Sequence, residues 1–87
     1  MAKIIMADGR TKNVEPGNKL YFTNNEISAI VGSSDWKVTT PKHIKSKVFI
    51  YTEREDDDLN VVASNRAGET LGGVVLECEQ REVDFEY

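Results

Sequence analysis

The segment Phe22-Thr23-Asn24-Asn25-Glu26-Ile27 constrains the fold more than any other stretch of this chain. Thr23 is placed to accept a hydrogen bond from the amide of Glu26, while the Glu26 carboxylate reaches back to the amide of Thr23. Phe22 and Ile27 fall at the two positions of a hydrophobic staple. The spacing predicts a helix starting at Thr23. Ile27, Ile30 and Val31 share one face, and Gly32 stands where a left-handed cap ends a helix. A helix of about two to three turns is unstable alone in water. Its apolar stripe must therefore lie on a sheet, and the rest of the chain has to supply that sheet.

Asp8-Gly9 tolerates the positive φ of a tight turn, so residues 2–7 and 10–15 read as an antiparallel hairpin. Pro16-Gly17-Asn18 breaks its second strand. Trp36, Val38 and Thr40 alternate with Lys37 and Thr39, which suits a strand with one buried face, and Pro41 closes it. Val48-Phe49-Ile50-Tyr51 and Leu59-Asn60-Val61-Val62 read as strands on either side of an acidic hairpin loop, and Gly72-Gly73 releases the chain into Val74-Val75-Leu76. Val83, Phe85 and Tyr87 alternate with Asp84 and Glu86 as a terminal edge strand, the acids opposing edge-to-edge association. The expected fold is α+β: a mainly antiparallel sheet of five to six strands with one short helix packed on it, as a single domain over residues 1–87.

Eighty-seven residues suit one hydrophobic core and no second. A core of that size leaves only a few kcal/mol of stability, so a symmetric homodimer that buries more surface is a reasonable expectation. The one cysteine, Cys78, excludes an intrachain disulfide, and one His with one Cys does not make a four-ligand zinc site without many carboxylates. The first apolar run, Ile4-Ile5-Met6-Ala7, is far too short for a signal-peptide core or a membrane span. The expectation is a cytoplasmic protein without a membrane partner.

Charge is divided along the chain. Residues 1–52 hold eight Lys/Arg against four Asp/Glu, and residues 53–87 hold three against eleven, so a +4 half precedes a −8 half. Such a division creates a field that steers partners and disfavours general nucleic-acid binding. The run Glu53-Arg54-Glu55-Asp56-Asp57-Asp58 lacks the alternation and the central glycine of an EF-hand loop. It reads first as a solvated loop and second as an acidic partner-binding surface. On a strand, Glu82, Asp84 and Glu86 would form a row of carboxylates about 7 Å apart, close to the spacing of phosphates along one DNA strand. A nucleic-acid mimic that occupies a basic groove is then the alternative to a plain solvated face.

Lys42, His43, Lys45 and Lys47 near Trp36 resemble the basic-aromatic pairing that binds single strands, but an ordinary connector explains them as well. Ser64-Asn65-Arg66-Ala67-Gly68 reads as a turn; in a ligand-contacting role, Arg66 would grip a phosphate or carboxylate and Asn65 a base edge. His43 has no nucleophile motif around it, and Cys78 sits in an apolar strand. No enzyme, cofactor or metal is expected.

Two stretches carry a family resemblance. Lys3-Ile4-Ile5 through Asp8-Gly9, Val14-Glu15-Pro16 and the helix ending Ile30-Val31-Gly32 form the first; Leu59-Asn60-Val61-Val62 with Asn65-Arg66-Ala67 and Leu71-Gly72-Gly73-Val74-Val75-Leu76 form the second. Over about two thirds of its length the chain resembles small phage and mobile-element domains of unknown function. Where the resemblance implies a longer helical segment after Asn-Arg-Ala, this chain has only Gly68-Glu69-Thr70. It further implies a phage accessory protein, of the kind that includes stoichiometric anti-CRISPR inhibitors and sponges for nucleotide signals. The leading expectation is a counter-defence inhibitor whose Glu53, Glu55, Asp56, Asp57, Asp58, Glu82, Asp84 and Glu86 face the basic surface of a host defence effector. One alternative is a nucleotide second-messenger sponge using Asn65, Arg66 and Trp36; another is a phage structural or regulatory accessory.

Overall fold

The computed structural model describes residues 2–41, 43–44, 46–52 and 58–83. Five strands form one antiparallel sheet: β1 (Ala2–Ile5), β2 (Thr11–Val14), β3 (Trp36–Thr39), β4 (Lys47–Thr52) and β5 (Val75–Glu79), in the spatial order β2-β1-β5-β4-β3. Helix α1 (Asn24–Val31) follows β2, and helix α2 (Val61–Ala67) joins β4 to β5. The last strand among the described residues is thus central in space, inserted between the opening hairpin and the β3–β4 hairpin.

The hairpin turns at Gly9, which takes φ +93°, and the Met6 amide closes it on the Arg10 carbonyl at 2.8 Å. Helix α1 begins as its sequence requires. The Glu26 amide donates to Thr23 Oγ1 at 3.2 Å, the Thr23 amide donates to Glu26 Oε1 at 3.1 Å, and Gly32 caps the far end in the left-handed region. The same carboxylate accepts from the Gly17 amide at 2.8 Å, tying the turn after β2 to the helix start. In that turn Asn18 Oδ1 accepts from the Leu20 and Tyr21 amides, and Lys19 between them takes φ +64°.

Strand alternation sends side chains to two cores. Ala2, Val48, Ile50, Leu76 and Cys78 meet Phe22 and, from α1, Ile27 and Val31 on one face. Ile5, Phe49 and Val75 meet Leu71 and, from α2, Ala63 and Ala67 on the other. The architecture is a helix, a sheet and a second helix in three layers, with β1, β4 and β5 buried on both faces.

The second helix corrects the expectation of one. Leu59–Val62, which reads as a strand from its β-branched residues, instead supplies a single bridge at Leu59 to Gly72, the N-cap Asn60 and the first turn of α2. Ala63 and Ala67, four residues apart, are small enough to bring the helix backbone down onto Ile5, Phe49 and Val75, and Gly68 at φ +75° ends it. The acidic run therefore links β4 to a helix and does not close a hairpin. At the C-terminal end, Gln80–Glu82 forms a 3-10 turn and Val83 makes one parallel bridge to Phe22. The expected edge strand beyond it, with Asp84, Phe85, Glu86 and Tyr87, lies outside the described residues.

Candidate functional site

Insertion of β5 between β1 and β4 brings the acidic half of the sequence against the basic half. Glu77 lies opposite Lys3 on β1, and Glu79 lies opposite Lys47 on β4, cross-strand positions at which opposite charges attract. Glu77, 1% exposed, also receives a two-pronged bond from Arg66 of α2, through Nε to Oε1 and through Nη2 to Oε2 at 2.9 Å. That carboxylate raises the Arg66 pKa above its already high value, with burial opposing. Arg81 pairs with Glu79, and this bond, more than any other cause, holds the Glu79 carboxyl below its usual range. Glu77 and Glu79 are thus matched by cations of the fold itself.

Residues 53–58 hold five acids and one arginine, and the rest of the chain holds ten acids and ten Lys/Arg, so the whole formal charge of −4 resides in those six residues. Of them Asp58 is described: it is exposed, and its carbonyl accepts from the Gly73 amide at 2.8 Å. Glu53, Glu55, Asp56 and Asp57 lie outside the described residues, as do Asp84 and Glu86. Glu82 stands in the 3-10 turn, where its carboxylate accepts from the Glu79 amide at 2.9 Å. Asp58 and Glu82 lie beyond opposite ends of β5, so the structure does not gather the described acids into one row.

The residues grouped for a nucleotide are also separated. Trp36 packs with the α1 core and donates Nε1–H to Ser28 Oγ at 3.2 Å. Asn65 and Arg66 belong to α2 on the opposite face, and the Arg66 guanidinium is already engaged by Glu77. His43 is exposed, and its Nε2 lies 3.1 Å from the Arg66 carbonyl at the end of α2. It lines a cleft of about 410 Å³ with Thr39, Pro41, Gly68 and Glu69, in which Thr39 donates to Glu69. Cys78 is buried, and burial, assisted by the nearby Glu82 charge, pushes its thiol up to about 12. A thiol in that state is a core side chain and not a nucleophile. Among the described residues no group of His, Cys, Asp and Glu is arranged to hold a metal ion, and no helix is long and apolar enough to cross a membrane.

Sequence reasoning passed over Asn60. Fully buried, it accepts from the Ala63 amide at 3.0 Å and donates to the Ile5 carbonyl at 2.9 Å and the Gly73 carbonyl at 2.8 Å. Around it Leu59, Val61 and Met6 are exposed at 56%, 55% and 37%. The available signal was an Asn three residues before Ala63 with Gly68 beyond, a cap at each end of a short helix. Comparisons with protein-family models, with curated proteins and with solved structures found no match.

Proposed function

We propose that the protein is a stoichiometric binding protein, a counter-defence inhibitor of the phage or mobile-element kind, that presents the acidic connection between β4 and α2 to a basic nucleic-acid-handling surface of a host effector. The observation that carries this reading is the location of the charge. All of the formal −4 resides in residues 53–58, while Glu77 and Glu79 are matched within the sheet. Both faces of the sheet carry a helix and a core, which disfavours a deep ligand cavity within the described residues. A concentrated negative run steers a positively charged partner and sets its on-rate, an effect that salt screens.

The test begins with capture of partners by the tagged protein from a host lysate, identified by mass spectrometry. It continues with D56S/D57S/D58S. The triple variant should bind the captured effector on the order of 10-fold or more weakly, chiefly through a slower on-rate, with its melting temperature nearly unchanged. Unaltered binding and inhibition would sink the assignment to this run.

A further inference from the structure

We infer that Arg66, Lys3 and Asn13 form a binding site for a phosphate group, and that the buried Glu77 is the positioning residue that aims the Arg66 guanidinium into it. The site uses none of residues 53–58. Strand register sets Asn13 of β2, Lys3 of β1 and Glu77 of β5 in one row across three adjacent strands. Paired positions share a face of the sheet, and Glu77 meets Arg66 of α2 on its own face, so the row belongs to the α2 side. Arg66 joins that row from the helix through its two bonds to Glu77.

The burial of Glu77 needs a reason. A carboxylate at 1% exposure is costly, and an apolar pair of similar volume holds a helix on a sheet about as well as an ion pair does. What the ion pair adds is direction. Glu77 takes the Nε–H and one Nη2–H of Arg66, which fixes the guanidinium plane. The opposite edge stays out: the Arg66 side chain is 42% exposed, and its Nη1 makes no hydrogen bond among the described residues. That edge, Nη1 with the second Nη2–H, is the fork that grips two oxygens of one anion. Lys3, opposite Glu77, makes no ion pair or side-chain hydrogen bond among the described residues. Asn13, on the far side of Lys3, is exposed.

Charge and shape select the ligand. Glu77 cancels Arg66, so Lys3 leaves the row with one net positive charge, which calls for an anion. A planar carboxylate is satisfied by one guanidinium fork, whereas a tetrahedral phosphate has oxygens left over for the Lys3 ammonium and the Asn13 amide. Phe49, the next residue in the row beyond Glu77, is fully buried and offers no ring for a base to stack on. The site therefore holds the phosphate of a nucleotide or of a nucleic-acid strand and does not read the base.

The experiment titrates the ¹⁵N-labelled full chain, at constant ionic strength, with inorganic phosphate, acetate, adenosine 5′-monophosphate and a short oligothymidylate. Phosphate should give saturable shifts at the Lys3, Asn13 and Glu77 amides and at the Arg66 Nε–H, and acetate should not. Arg66 is left in place, because its removal strands a buried carboxylate. Lys3→Gln should weaken phosphate binding about fivefold, with the melting temperature nearly unchanged. Glu77→Gln makes the face more positive but frees the guanidinium, so it should also bind phosphate more weakly, and the Arg66 Nε–H signal should lose its hydrogen-bonded position. Tighter binding by Glu77→Gln would show that charge alone acts there and would remove Glu77 as a positioning residue. Tighter binding of the mononucleotide than of the oligothymidylate would identify a free nucleotide as the source of the phosphate, and the reverse order a nucleic-acid strand. Equal affinity for acetate, shifts that never saturate, or unchanged binding by Lys3→Gln would overturn the site.

Discussion

Asn60 shows how much one buried amide can hold. Its Oδ1 closes the start of α2, and its two Nδ2 hydrogens join the end of β1 to the segment leading into β5. Asn60→Ala removes the cap and the side-chain donor to one buried and one half-buried carbonyl, for a cost of about 3 kcal/mol. Asn60→Asp keeps the cap oxygen but sets a carboxylate against those carbonyls, so it should rescue little or nothing. Urea denaturation of both variants checks this: if Asp matches the wild type, the bonds to Ile5 and Gly73 contribute nothing. Arg66 and Glu77 make a similar point about reading residues in isolation. Their types invite a ligand-gripping reading, and only their juxtaposition across two elements reveals an internal ion pair. No sequence spacing encodes a contact between a helix and the strand that packs beneath it.

Helix α1 was legible because its signals are local. Thr23, Glu26, Ile27, Val31 and Gly32 act within a few residues of one another, and the structure places each where that spacing requires. The pH dependence of its start follows. Hydrogen bonds from the Gly17 amide, and next from the Thr23 amide, hold the Glu26 carboxyl below its ordinary value of 4.5. A depressed folded pKa means stabilisation that is present above 4.5 and lost as pH falls through the lower folded value. Thermal midpoints measured from pH 6 down to about pH 2 should fall more steeply for the wild type than for Glu26→Gln, whose side chain does not titrate. Asp8 and Glu79 are depressed as well and contribute to the common slope, so the difference between the two curves is the readout; parallel curves would remove Glu26 from the account. Helix α2 was not legible for the opposite reason. Val61 and Val62 favour a strand locally, and Ser64, Asn65 and Arg66 favour nothing strongly. The small faces of Ala63 and Ala67 on the sheet overrode that preference.

At the scale of the molecule, the two cores share one sheet, so neither face is expected to unfold alone. Phe49, buried on the α2 face, and Trp36, packed on the α1 face, lie on adjacent antiparallel strands. Phe49→Ala should cost about 3–5 kcal/mol and shift the Trp36 fluorescence transition and the far-UV circular dichroism transition together. Separated transitions would mean that the layers melt independently. Local signals along the chain sufficed for the fold class, the opening hairpin, α1 with both caps, the positions of most strands and the burial of Cys78. Those features depend on alternation, turn chemistry and capping, all of which act between near neighbours. The strand order, the second helix and the pairing of Glu77 and Glu79 depend instead on packing between segments distant in the chain. Placing β5 between β1 and β4 sets Glu77 and Glu79 against Lys3, Lys47 and Arg66. The division into a basic and an acidic half dissolves within the sheet, because strands distant in the chain become neighbours and their opposite charges meet there.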